Sequence, residues 1–190
     1  MEMPEKIESE RLILERPYPP TFDLANEIFA KVEASRATLR LWLPWVDKTL
    51  SAEDEFSNYL TSYSLECWEN KSGFPYIIRL KNTNELIGSI DLMDIDEQSK
   101  SAEIGYYLFD SAVGCGYMQE AVKCLENNAF ETGLNRIVIK TDTTNTRSTN
   151  VAKRCGYHLD GVMRQDKWND ITQKFADTNV FSKLKSDANQ

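Results

Sequence analysis

The chain has 190 residues, 27% of them charged and 41% hydrophobic, and carries a formal net charge of -8. That length buries one good core and is short for two, so a single domain over residues 1–190 is expected. The negative balance speaks against a nucleic-acid backbone or an anionic membrane as the main partner and suits a neutral or basic one. The four cysteines, Cys67, Cys115, Cys124 and Cys155, show no C-x-x-C pairing, and His158 is the single histidine. Neither a metal site nor a disulfide framework is expected from them; they read as free thiols of a reducing cytosol. The N-terminus lacks the basic and apolar regions of a secretion signal, and no apolar run approaches the roughly 20 residues that span a bilayer. A soluble cytoplasmic protein is the expectation.

In chain order, Arg11–Arg16 reads as a short strand closed by Pro17, Pro19 and Pro20. Phe22, Ala25, Ile28, Phe29 and Val32 follow at helical spacing. Leu39–Val46 is dense in apolar groups and broken by Pro44. Ser51 and Asp54 suggest the N-cap of a helix to about Trp68, ended by Asn70–Gly73. The period then changes. Tyr76–Leu80 and Leu86–Met93 read as a hairpin across Lys81–Glu85, and Asp94–Lys100 as a polar loop. Ala102–Phe109 is a third strand, with Glu103, Gly105, Tyr107 and Phe109 on one face. After the loop Asp110–Gly116 a helix runs from Tyr117 to about Glu131, its stripe being Met118, Ala121, Val122, Leu125 and Ala129. Gly133 stops it, and Arg136–Thr141 is a strand. A short helix fits from Asn145, its N-cap, to Cys155, with Gly156 as stop. Tyr157–Met163 and Thr178–Leu184 end the pattern as strands, and the last few residues should fray. The sum is a mixed α/β domain around one sheet.

The loop before the helix at Tyr117 is an anion site by its chemistry. Gly114 and Gly116 let the backbone approach a ligand closely, and the helix start adds unpaired N–H groups. The Lys-Ser/Thr of a P-loop and the third glycine of a dinucleotide fingerprint are both missing. Taken alone, two glycines before a helix more often mark only a tight turn.

Their surroundings say more. A-E-I-G-Y-Y-L, G-C-G-Y-M-Q-E-A, L-N-R-I-V-I-K and N-T-R-S-T-N-V-A-K-R-C-G-Y occur in that order. So arranged, the chain resembles the GNAT acetyltransferases, and within them the RimJ/RimL-type enzymes that acetylate ribosomal-protein N-termini. L-R-L-W-L-P-W-V and L-D-G-V-M-R-Q resemble the same subgroup, so the likeness covers residues 10–184. It implies an α+β fold with a splayed, mostly antiparallel mixed sheet flanked by helices. It implies acetyl-CoA as cosubstrate, lying along Tyr107, Leu108 and Phe109. Its pyrophosphate would rest on Val113, Gly114, Cys115, Gly116, Tyr117 and Met118, with Asn145 as a further contact. Val113 departs from the Gln or Arg common there. The resemblance also implies a dimer. Arg147, Lys153, Arg154 and Lys123 are either phosphate partners or solvated helix charges.

Acetyl transfer to an amine needs a neutral nitrogen and a proton for the leaving thiolate, and no covalent enzyme intermediate. Cys115 is therefore read as loop. A protein α-amino group, with a pKa of about 7.7–8.0, is roughly one-tenth neutral at pH 7, whereas a lysine at about 10.4 is almost wholly charged. An α-amino acceptor thus asks for only a modest base. Glu103, beside Gly105 and Tyr107, is one candidate and otherwise a cross-strand partner. The resemblance implies an acidic base just after Leu159–Gln165, where Lys167 stands at the matching position and Asp166 precedes it. The tyrosine acid of many GNAT enzymes is replaced here by Ala152, and the serine that RimL-type enzymes place near the coenzyme sulfur matches Ser148. Ser148 is otherwise bonded to its own helix. Trp42, Trp45 and Phe56 wall an acceptor groove or belong to the core, and Trp168 and Asp170 lie at the groove's other edge. Acetylation of a protein N-terminus leads; acetylation of a small amine and a silent acyl-CoA-binding module are the alternatives.

Overall fold

The computed structural model describes residues 1–189. Its strands are β1 (Lys6–Glu8), β2 (Leu12–Glu15), β3 (Phe74–Leu80), β4 (Leu86–Asp96), β5 (Ser101–Leu108), β6 (Arg136–Asp142), β7 (His158–Asn169) and β8 (Lys174–Leu184). They form one eight-stranded sheet in the order β1-β2-β3-β4-β5-β6-β8-β7, antiparallel at every step except β5 to β6. The helices are α1 (Phe22–Leu39), α2 (Ala52–Asp54), α3 (Glu66–Asn70), α4 (Tyr117–Glu131) and α5 (Thr146–Arg154). Glu55–Leu65 joins α2 to α3 in π-helical register, its wider turns drawing Thr61 and Ser62 hydroxyls onto the Ser57 carbonyl. Ser51 accepts from Asp54 N–H and starts this segment, as its spacing predicts.

Two apolar clusters lie on the two faces of the sheet. Met118, Ala121, Val122, Leu125 and Ala129 of α4 pack with Ile78, Ile90, Ile104 and Ile137. Ala25, Ile28 and Val32 of α1 pack with Leu60, Ile77, Leu86 and Phe109 on the other side. Each fully buried aliphatic side chain contributes about 1.5–3 kcal/mol, so the regular stripe of α4 is ample reason for its seat.

Several boundaries differ from the sequence expectation: β1 carries too short a pattern to be marked, and β4 runs on through Asp94–Asp96, read from the sequence as polar loop, because β5 still pairs with it at Asp96↔Ser101. β7 and β8 extend to Asn169 and back to Lys174, so they form one long hairpin. His158–Trp168 is exposed throughout, and the alternation that marks a half-buried strand is missing from it. At the other end of the hairpin, Asp187–Asn189 makes a short 3₁₀ turn, while Gln190, part of the expected frayed tail, lies outside the described residues.

The feature that creates a site is where two strands part. β5 and β6 pair only from Ser101↔Arg136 to Glu103↔Val138. β5 stays with β4 as far as Leu108, and β6 stays with β8 as far as Asp142. Ile104–Leu108 and Ile139–Asp142 therefore each keep one partner and leave the other edge unpaired. A Cβ on Gly88 would stand 2.2 Å from the Tyr107 carbonyl, so only glycine lets β4 hold β5 this closely.

Candidate active site

The gap between β5 and β6 opens into a cavity of about 900 Å³ that passes through the sheet. On the α4/α5 side it is lined by Val113, Gly114, Gly116, Tyr117, Met118, Gln119, Asn145, Arg147, Ser148 and Arg154. On the α1 side Leu41, Trp42, Leu43, Lys48, Tyr107, Lys140, Lys167, Trp168, Asp170 and Ile171 surround it. The unpaired edge of β5 offers a row of backbone donors and acceptors to an amide-bearing chain, as an added strand would use them.

The glycine loop is built as its composition predicts. Gly114 has φ 90° and Gly116 φ 78°, and nothing stands within 4 Å of where a Gly114 side chain would go. Gly116 is the N-cap and offers no side chain, so the N–H groups of Tyr117, Met118 and Gln119 have no partner among the described residues. They point a partial positive charge at the cavity. The loop's entry is held by Ser35, which accepts from the Asp110 N–H, and by Thr38, which donates to the Asp110 carboxylate.

Arg11 was legible in the sequence only as a strand residue, yet it pins the far side of the loop. Its Nη1 donates to the Cys115 carbonyl at 3.1 Å, its Nε to Glu120 at 2.7 Å, and its guanidinium lies 4.7 Å from the Tyr117 ring centre. Burial acts to raise the Glu120 carboxyl, but hydrogen bonds from Ser9 and Arg11 outweigh it and hold the group below its usual range. Arg11→Met should raise the acetyl-CoA KM about 5- to 10-fold, the equivalent of about 1–1.5 kcal/mol for a charged hydrogen bond. kcat at saturating acetyl-CoA should hold, and steady-state kinetics checks the split. Gly114→Asp should weaken acetyl-CoA binding at least about tenfold. Such a φ costs a non-glycine residue roughly 1–3 kcal/mol and the carboxylate would face the bound phosphates; calorimetric titration measures it.

On α5, Asn145 accepts from the Ser148 N–H at 3.1 Å and is the N-cap; it also lines the cavity. The Ser148 hydroxyl meets the Tyr106 hydroxyl at 3.0 Å, and Tyr106 also reaches the Ser148 carbonyl at 3.2 Å. Burial pushes the Tyr106 phenol well above its ordinary range, so it stays protonated. In the sequence Tyr106 only shares a strand face with Ile104 and Leu108, and nothing in the pattern marks its bond to α5.

The structure gathers Tyr107, Leu108, Val113, Gly114, Gly116, Tyr117, Met118, Asn145 and Ser148 at one cavity. Four other sequence candidates are not among the lining residues. Phe109 is 1% exposed in the second core and gives its N–H to Ile87, because the strand turns inward after Leu108. Cys115 is an exposed thiol outside the lining, with only its carbonyl engaged. Glu103, on the part of β5 still paired with β6, forms an ion pair at 2.7 Å with Lys140, which itself lines the cavity. Asp166 is exposed on the edge strand, where Lys167 takes the lining position instead. Arg147 and Arg154 line the cavity, whereas Lys123 and Lys153 do not. Of the aromatic candidates Trp42 and Trp168 line it, Trp45 backs Tyr107 at 5.5 Å, and Phe56 stacks on Phe22 at 4.3 Å.

An unpaired strand edge leading to bare helix N–H groups, with a hydroxyl pair at the split, is an arrangement suited to an amide-bearing, phosphate-ended acyl thioester. The acetyltransferase (GNAT) domain family matches residues 11–158, and the chain belongs to that family, a class of N-acetyltransferases whose acyl donor is acetyl-CoA. It is 31% identical to the ribosomal-protein-serine acetyltransferase of Escherichia coli (strain K12) over 116 residues, 60% of this chain and 64% of that protein. It is 30% identical to the uncharacterized N-acetyltransferase p20 of Bacillus licheniformis over 75% of this chain and 76% of that one. Among solved structures, the Salmonella typhimurium acetyltransferase that modifies the N-terminal serine of ribosomal protein L7/L12 superposes with a TM-score of 0.81 at 25% identity. That superposition covers 95% of this chain and 99% of that one. The fold of the microcin C7 self-immunity acetyltransferase MccE is also alike, with a TM-score of 0.83 at 23% identity over 93% of each chain. Among the described residues no helix is long and apolar enough to cross a membrane, and no cluster suited to a metal is present.

Proposed function

We propose that this N-acetyltransferase modifies the N-terminal α-amino group of a protein. The observation that carries the reading is the second mouth of the cavity. It sets Leu41, Trp42, Trp168 and Ile171, all more than a third exposed, among the charged groups of Lys48, Lys140, Lys167 and Asp170. A rim that mixes exposed aromatic and aliphatic side chains with charged groups fits a polypeptide end better than a small hydrophilic amine. The acidic charge of the chain suits a basic protein, and the E. coli and Salmonella relatives act on ribosomal proteins by their names.

In this reading the β5 edge and the helix N–H groups hold the donor, which supplies an activated acetyl group as a thioester. Ser148, oriented by Tyr106, gives a proton to the departing sulfur. A cytoplasmic setting accords with free thiols at Cys67, Cys115, Cys124 and Cys155, and a homodimer is the assembly that the family resemblance implies. The test is to incubate the protein with acetyl-CoA and peptides having free or blocked α-amino groups, beside spermidine and an amino-sugar, while following free thiol. Release with free N-termini alone supports the reading. Release only with the small amines overturns it, and binding without release on any acceptor identifies a silent acyl-CoA module.

A further inference from the structure

One wall of the acceptor mouth is built from a segment with little regular structure. After α1 the chain turns back through Arg40–Leu50, where a short 3₁₀ turn at Pro44–Asp47 is the one regular element. Leu41, Trp42, Leu43, Pro44, Asp47 and Lys48 of this segment line the cavity. Val46 is instead fully buried in the second core with Ile28, Val32, Leu39 and Leu60, and the Trp45 ring stands 5.5 Å from that of cavity-lining Tyr107. A short turn leaves carbonyls without helical partners. Those of Val46 and Thr49 take no backbone N–H among the described residues.

Arg36, in the last turn of α1, serves both. Its Nη1 donates to the Val46 carbonyl and its Nη2 to the Thr49 carbonyl at 2.6 Å, while its Nε is held by Glu33 one turn back. One planar group thus fixes three acceptors in a set geometry, which the single ammonium of a lysine does not reproduce. A second tether, Arg40 to Asp47 at 3.0 Å, joins side chains that are 48% and 44% exposed. An ion pair so open to water contributes little, whereas the Arg36 side chain is 21% exposed and its charged hydrogen bonds keep more of their strength. The residues around it hold the other half of the site. Ser35 and Thr38 bind Asp110 at the entry of the glycine loop, so one helix end spaces the acceptor wall from the donor loop.

We propose that Arg36 is a positioning residue for the acceptor. It fixes Leu41–Lys48 as a wall of the acceptor mouth, and so governs how the amine is bound, without touching the reacting atoms. This rests on the reading of that mouth as the acceptor's.

The test compares wild type, Arg36→Met, Arg36→Lys and Arg79→Met. Arg79 is a control: its guanidinium is 10% exposed and ties β3 to Glu15 and Glu27, away from the cavity lining. In Arg36→Met the KM of a peptide acceptor should rise about tenfold while kcat at saturating peptide stays within about threefold. Acetyl-CoA affinity by calorimetry should match wild type, because the Ser35 and Thr38 tethers are intact. Arg36→Lys should recover only part of the KM. Arg79→Met should lower Tm and leave the peptide KM unchanged, which separates a placed wall from a weakened fold. Amide hydrogen exchange at Val46, Lys48 and Thr49 should quicken in Arg36→Met and not in Arg79→Met. A wild-type peptide KM in Arg36→Met, or an equal rise in Arg79→Met, overturns the proposal. Should Arg36→Met fail to fold, Arg36→Lys decides by the same KM and exchange readings. Exchange needs no acceptor, so it also separates the two readings. Quickened exchange without acetylation of any amine keeps the tether while the acceptor reading fails, and wild-type exchange overturns the tether whatever the acceptor.

Discussion

Ser148→Ala is expected to lower kcat about 10²-fold while acetyl-CoA binding stays within about threefold, the loss associated with removing one general acid. The geometry sets the division of labour. When the Tyr106 hydroxyl donates to the Ser148 oxygen at 3.0 Å, the serine's own hydrogen is free to turn into the cavity. Tyr106 cannot discard its proton toward solvent cheaply, because burial holds the phenol protonated. Tyr106→Phe keeps the serine donor but removes its orienting partner, so a loss of about tenfold is expected. The double variant should resemble Ser148→Ala, since the two groups act as one unit and their effects do not add. Single-turnover measurements with a fast peptide acceptor would separate this from product release. Unchanged turnover in Ser148→Ala would remove the serine from the proton path.

These roles were unevenly visible before folding. The glycine loop and the α4 stripe follow from local rules, since a positive φ needs glycine and a buried helix face needs its 3.6-residue period. Met118, Ala121, Val122, Leu125 and Ala129 are all buried as that period predicts. The site itself is tertiary. Nothing in Ile104–Leu108 or Ile139–Asp142 announces that these segments part, because the divergence depends on β4 and β8 holding each from outside. Tyr106 alternates with Ile104 and Leu108 along its strand, and only the docking of α5 turns its hydroxyl to Ser148. β8 enters the sheet between β6 and β7, an order with no local signal. Glu55 reads as one more acid in S-A-E-D-E, and its burial depends on the packing of the π-helical run over β5.

Glu126 shows the same blindness and gives the largest expected stability effect. On α4 it follows Leu125 at the rim of the apolar stripe, where a charged residue normally reaches water. Here its side chain is 2% exposed and bonded to Lys183 of β8, itself 11% exposed. Lys183 also donates to the Cys155 carbonyl at 3.0 Å and lies 5.8 Å from the Tyr157 ring centre. One ammonium thus ties β8 to α4 and to the end of α5, the two helices that frame the donor side. The second Glu126 oxygen makes no hydrogen bond among the described residues, and burial pushes the carboxyl up despite Lys183 and the neighbouring Tyr157 hydroxyl. Lys183→Met keeps the stem's packing but strands a buried carboxyl, so unfolding should become easier by about 3–5 kcal/mol. Part of that loss should return as pH falls through the raised folded pKa toward the unfolded value of 4.5, because protonation removes the unpaired charge. The paired change Lys183→Met with Glu126→Leu should recover most of it, because a well-packed apolar pair is commonly as stable as a buried ion pair. Urea unfolding of the three proteins at pH 7.5 and pH 4.5 checks both statements. A Lys183→Met variant as stable as wild type at pH 7.5 would mean that Glu126 finds water or another donor, and that α4 and α5 hold their place on the sheet by apolar packing alone.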